Sequence, residues 1–217
     1  MNRRFSGALA LIFVALATAF PAHAQQAAFP QSSTETIVLI RHGEKTAHEL
    51  GQLSGKGLNR ALALPNVLIG KFGKPDYIFA PNPSATITSK SGATYCYIRP
   101  LATIEPTAIR LGMPVNTLIG FGDIQQLQNE LVKPIYANAV VFVAWEHVME
   151  DRFAKNVMQT YAKDSSLVPD WPGSDYDSIF VIRLARSGDA VTATFTVDRE
   201  GLNDKLTDAD PTAGAGH

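Results

Sequence analysis

Apolar runs separated by polar, glycine- and proline-bearing stretches set the frame of this chain. Residues 36–40 form a continuous apolar, β-branched run, the pattern of a strand buried on both faces of a mostly parallel sheet. Residues 76–80 read as a second strand, stopped by Pro81-Asn82-Pro83, and 139–144 is the clearest buried run after the first. Elsewhere the period lengthens. Leu58, Ala61, Leu62 and Leu64 place an apolar stripe on a helix over 54–70, which Pro65 is expected to interrupt or end. Helical patterns recur over 100–111 (closed by Gly112, with Pro106 inside), over 124–131 and over 149–161. Late strands are expected at 178–184 and 190–197, the second alternating as an edge strand does. Residues 84–97, rich in Ser, Thr and Ala, follow neither period. Strands alternating with helices predict an α/β fold, a three-layer α/β/α sandwich around the sheet.

The first residues read as an address rather than as part of that fold. Asn2, Arg3 and Arg4 precede an apolar run at 8–20 that is short for a membrane span, and Ala22-His23-Ala24 offers a small-x-small cleavage pattern. The expectation is a signal peptide over 1–24, a periplasmic or secreted mature protein, and no stable membrane anchor after cleavage. A flexible lead-in over 25–35, one domain over 36–202 and a flexible tail over 203–217 complete the expected organisation. A net charge of −1 without a Lys or Arg run gives nucleic-acid binding no electrostatic support. Cys96 is the lone cysteine, so no internal disulfide can form, and it reads as a small half-buried residue rather than a nucleophile.

In open α/β sheets ligands bind beyond the carboxyl ends of the strands. Arg41-His42-Gly43-Glu44 follows the first strand and Trp145-Glu146-His147 follows the run at 139–144. Of five histidines, His23 leaves with the signal peptide, His217 lies on the tail and His48 in a polar stretch, so His42 and His147 remain at strand ends. Arg41 beside His42 would repel a metal ion, and no HExxH-like or Cys/His spacing is present. An anion suits the pair better. A guanidinium holds phosphate oxygens in a fixed fork, and a neutral imidazole nitrogen behind the phosphorus can attack it. Gly43 is expected to let the backbone approach where a side chain would crowd the phosphate.

Ile40-Arg41-His42-Gly43-Glu44 resembles the signature of the histidine phosphatase superfamily, which includes the phosphoglycerate mutase-like enzymes. Leu53, Gly57 and Ala61 are similar to its Leu-x-x-x-Gly-x-x-x-Ala helix start, 76–80 to its second strand, Arg99 to Thr103 to its second-arginine segment, and 141–147 to its second-histidine strand. The resemblance implies a phosphoglycerate mutase-like fold and a phosphoric monoester hydrolase. His42 would become phosphohistidine, and Arg41, Arg99 and His147 would clamp the phosphoryl group, with Gly43 and Glu44 on the substrate side. No metal cofactor is implied, because the arginines supply the positive charge.

The chain departs from the family pattern at Pro81-Asn82-Pro83, where serines usually stand, and at Val148 and Glu146 around the second histidine. The proton donor is therefore open, with Asp123, Glu146 and Glu44 ranked in that order. Residues 84–97 and 113–134 are the expected pocket rims, and Lys45, Lys56 and Tyr97 are within sequence reach of them. The expected partner is a phosphorylated small molecule or envelope component. The rival readings are a phosphohistidine or envelope-sugar phosphatase, a mutase (disfavoured by export), and a phosphate-binding envelope protein that has lost catalysis. No heptad or exposed apolar helix declares an oligomeric surface.

Overall fold

The computed structural model describes residues 32–47, 51–89, 91–209 and 211. The expected signal peptide, His23, His48 and His217 lie outside these residues. In chain order the elements are β1 (Ser32–Arg41), α1 (Gly55–Phe72), β2 (Tyr77–Phe79), β3 (Thr86–Thr88), β4 (Thr94–Cys96), α2 (Arg99–Leu111), α3 (Ile124–Leu131), β5 (Val140–Trp145), α4 (His147–Tyr161), β6 (Ser178–Ser187) and β7 (Ala190–Arg199).

Five strands form one sheet in the order β2-β5-β1-β6-β7. β1 and β2 both run parallel to β5, whereas β6 pairs antiparallel with β1 and with β7. The sheet is thus mixed, and its parallel half carries the two strand ends singled out by sequence. The connection from β6 to β7 is too short for a crossover, with Gly188 at φ 55° in the turn, so that pair must be antiparallel. β7 is the edge strand that its alternation predicted.

Side-chain alternation along β1 divides the core in two. Ile37 and Leu39 pack with Leu127, Leu131, Phe153 and Val157 of α3 and α4. Val38 and Ile40 pack with Leu64, Leu68, Ile104 and Ala108 of α1 and α2 on the opposite face. The result is the expected α/β/α sandwich, with helices on both sides of the sheet.

Several local expectations change. α1 runs unbroken through Pro65, because Leu64 and Leu68 on either side are buried against the same sheet face and hold both turns in line. α2 passes Pro106 in the same way between the buried Ile104 and Ala108. Residues 84–97 contain a small ribbon, β3 antiparallel to β4, standing outside the main sheet. Cys96 pairs with Thr86 there and is exposed, not half-buried, since the ribbon leaves it facing water.

Residues 203–209 are not a free tail. Asn59 donates to the carbonyls of Thr207 and Ala209, and the Lys56 amide donates to the Asp208 carboxylate at the start of α1. A helix N-terminus has amides without intrahelical acceptors, so an incoming carboxylate is held there by both hydrogen bond and dipole.

Candidate active site

Arg41 of β1 and Trp145 of β5 are register partners, so both strands end level. The His42 amide donates to the Trp145 carbonyl (2.9 Å), extending the ladder one step and fixing His42 at the sheet edge. His42 is only 2% exposed. Its Nδ1 lies 2.7 Å from the Gly43 carbonyl oxygen, which can only accept, so Nδ1 carries the proton and Nε2 keeps its lone pair. Burial, then the nearby Arg99 and Arg41 charges, push the imidazole down to about 3, against the Gly43 bond and Glu146, which favour protonation. At neutral pH His42 is uncharged.

The Gly43 amide donates to Thr103 Oγ1 (2.9 Å), and that hydroxyl donates to the Arg99 carbonyl (2.8 Å). Thr103 thereby ties the loop after β1 to the first turn of α2 and brings Arg99 into the same site. The requirement for glycine at 43 has a different origin from the expected one. A Cβ there would stand 2.7 Å from the Gly57 carbonyl oxygen, so the glycine serves packing against α1 rather than room for phosphate. Glu44 also turns away from the site: its carboxylate forms a fork with Arg60 (2.9 and 2.7 Å). Arg60 is fully buried and also binds Glu200 and the Asn203 side chain, so Glu44 joins a structural network that anchors the chain after β7.

Arg41 and Arg99 are nearly as buried as His42. Arg41 Nη1 donates to the carbonyls of Gly173 (2.8 Å) and Asp175 (2.9 Å), and its guanidinium stacks 3.7 Å from the Tyr176 ring centre. The loop before β6 is itself held in shape. Asp175 caps the turn into Ser178 with its carboxylate, and Trp171 donates to the Asp175 carbonyl while packing on Phe180. Arg99 lies over the Tyr97 ring (4.8 Å), whose edge faces His42 at 6.0 Å. Arg99 Nε and Nη1 and Arg41 Nε are buried without a hydrogen-bond partner among the described residues. Buried guanidinium donors without acceptors are costly, and an anion between them supplies the acceptors.

His147 opens α4 at the second strand end. Glu146 caps that helix, accepting from the amides of Val148 (3.0 Å) and Met149 (3.2 Å), while its other oxygen lies 2.5 Å from His147 Nδ1. This cap is why α4 begins two residues before the predicted 149. Burial raises the Glu146 carboxyl, but the His147 contact and the two amides outweigh it and hold the group below the usual range. Glu146 therefore orients His147 and is a poor acid at neutral pH, as is the ion-paired Glu44. Asp123 precedes α3 and is exposed. Its neighbour Phe121 meets Tyr97 at 5.1 Å, so the two expected rims, 84–97 and 113–134, do converge. Lys45 is exposed, and Lys56 is spent on the Asn203 carbonyl and Glu44.

No protein-family model matches the sequence, and no curated protein matches it at a significant level. The backbone, in contrast, matches solved structures. A native mycobacterial glucosyl-3-phosphoglycerate phosphatase aligns with a TM-score of 0.52 at 13% identity, over 75% of this chain and 97% of that one. An Escherichia coli protein described as a candidate alpha-ribazole-5'-P phosphatase aligns at 0.50 and 13% identity, over 76% and 96%. The chain shares the fold of these two phosphatases. Within it, Arg41 and Arg99 come close to His42, His147 stands at the neighbouring strand end beside Glu146, and Glu44 lies apart on Arg60. Sequence reasoning passed over Tyr176, Arg60 and the buried Glu150. Among the described residues no group of three or more His, Cys, Asp or Glu is placed to hold a metal ion, and no helix is long and apolar enough to cross a membrane.

Proposed function

We propose that this chain is an exported phosphatase that hydrolyses a phosphomonoester through a covalent phosphohistidine on His42. The observation that supports it most is a neutral imidazole, with Nδ1 bound to Gly43, set between two buried guanidiniums that have unused donors. The phosphoryl group would lie against Arg41, Arg99 and His147. His42 Nε2 attacks phosphorus, the bond to the leaving oxygen breaks, and that oxygen takes a proton from an acid. Water then attacks the phosphohistidine, the phosphorus–nitrogen bond breaks, and phosphate leaves. Asp123 is the remaining candidate acid of the three, exposed on the rim where its neighbour Phe121 meets Tyr97. The substrate is a phosphorylated small molecule or an envelope component, and export follows from the signal-peptide pattern of 1–24.

One observation favours a second reading, a phosphate-binding envelope protein without turnover. Glu44 is committed to Arg60 and Glu146 to His147 and the α4 amides, and Arg41 Nη1 is held by two loop carbonyls. Hydrolysis of p-nitrophenyl phosphate separates the readings, because this leaving group scarcely needs an acid. Wild type should turn it over and retain acid-labile, alkali-stable phosphate, and His42→Ala should do neither. A folded wild type that binds phosphate yet never becomes phosphorylated would establish the binder.

A further inference from the structure

Alternation along β1 and β5 places Arg41 and Trp145 on the sheet face covered by α3 and α4. Glu150 projects from the first turn of α4 toward that face, in line with the buried Phe153, Ala154 and Val157. It is 1% exposed, and neither carboxyl oxygen has a hydrogen-bond partner among the described residues. Arg41 Nε, on the neighbouring strand, is also buried and without a partner. Two groups of potentially opposite charge thus lie in one interior without bonding each other. An ionised carboxylate there would take the guanidinium, since a buried charge without a partner is far more costly than a buried neutral acid.

We propose that Glu150 is a positioning residue for Arg41, a buried carboxyl that must remain uncharged for Arg41 to keep its grip on a phosphoryl group. The proposal rests on the phosphatase reading of the site. Uncharged, Glu150 leaves the guanidinium to the phosphoryl oxygens and to the Gly173 and Asp175 carbonyls. Ionised, it competes for Arg41 and adds a negative charge beneath an anionic substrate. The groups that act on it are Glu146 at the cap of the same helix, Glu200 beyond β7, Arg41 on β1 and the Trp145 backbone. Burial first, and then Glu146 and Glu200, raise its carboxyl well above the ordinary range, while Arg41 and the Trp145 backbone only partly oppose them. Glu146 and Glu150 are therefore driven in opposite directions, one held ionised and the other neutral.

The consequence is linkage: binding a dianion favours protonated Glu150, so affinity falls once Glu150 ionises in the empty site. Sulfate is a suitable probe because its own charge is constant over the working range. Calorimetric titration of the folded protein with sulfate, from mildly acidic to alkaline pH, should show wild-type affinity falling by up to about tenfold per pH unit above the Glu150 midpoint. Glu150→Gln keeps the shape but cannot ionise, and should hold its affinity through that range. Glu150→Met serves the same end if the amide does not fold. Every other group is the same in both proteins, so the difference between the two profiles isolates Glu150. Parallel profiles in wild type and variant would overturn the proposal while leaving the phosphatase reading intact. Wild type that fails to bind sulfate at any pH would overturn both.

Discussion

His42 should make the fold sensitive to acid in a way that a single substitution removes. The folded imidazole titrates at about 3 against an ordinary value of 6.5. Between those values the unfolded chain binds a proton that the folded chain refuses, so stability is lost as pH falls through that window. From about pH 7 to about pH 4 the loss from this residue comes to about 3 kcal/mol, taking 1.36 kcal/mol per pH unit of differential protonation. Replacing His42 with Gln removes the titration and keeps a polar side chain of similar reach.

Urea unfolding of wild type and His42→Gln at both pH values gives four midpoints, and the difference of differences isolates His42. Wild type should lose about 3 kcal/mol more than the variant on acidification. Glu35 and Glu200, raised by burial to about 7 and about 8, act in the opposite direction, but they are present in both proteins and cancel. Stability profiles that run parallel would show that His42 is protonated in the fold, and the argument for a neutral nucleophile would collapse.

Three further outcomes follow from the same geometry. Gly43→Ala drives a Cβ into the Gly57 backbone, where no flexible end can yield, and should cost about 2 kcal/mol or more in thermal or denaturant unfolding. Arg60→Met strands Glu44 and Glu200 without their cation and should destabilise by about 3 to 5 kcal/mol, with the segment 203–209 becoming accessible to protease first. Arg99→Lys keeps the charge but loses the planar fork, and should lower kcat/KM for p-nitrophenyl phosphate on the order of 100-fold without a comparable change in melting temperature.

The strand-end histidines were legible because a buried strand announces itself by a continuous apolar run, and whatever follows it must stand at the sheet edge. Arg99 was singled out only through the family resemblance of the Arg99–Thr103 segment, and the structure shows what that spacing does: the Thr103 hydroxyl links the Arg99 carbonyl to the Gly43 amide. The loop at 171–176 was not legible for a definite reason. It acts on Arg41 through the carbonyls of Gly173 and Asp175, and every residue has a carbonyl, so no side-chain pattern marks the role. Glu150 is hidden differently. A glutamate in the first turn of a helix is ordinary solvent-facing chemistry, and only the packing of α4 on the sheet turns it inward. Pro65 misled because the local rule against proline in a helix yields to two turns of buried leucine.

On the proposed function, a neutral nucleophile and an anionic substrate place different demands on one pocket, and the same two arginines would meet both. Their positive charge disfavours protonation of His42, which preserves the lone pair on Nε2, and it would also draw a phosphoryl group toward that lone pair. On the proposed mechanism, once phosphorus is bonded to nitrogen the guanidiniums would face the transferred oxygens and stabilise the covalent state by the same contacts. Such an arrangement works only if nothing inside neutralises the arginines. Glu44 is drawn off by Arg60, Glu146 is divided between His147 and the α4 amides, and Glu150 is held uncharged by its burial. Three carboxyls close to the sequence motifs are thus each kept from the arginines by a separate device, which would leave the site's positive charge for an anion.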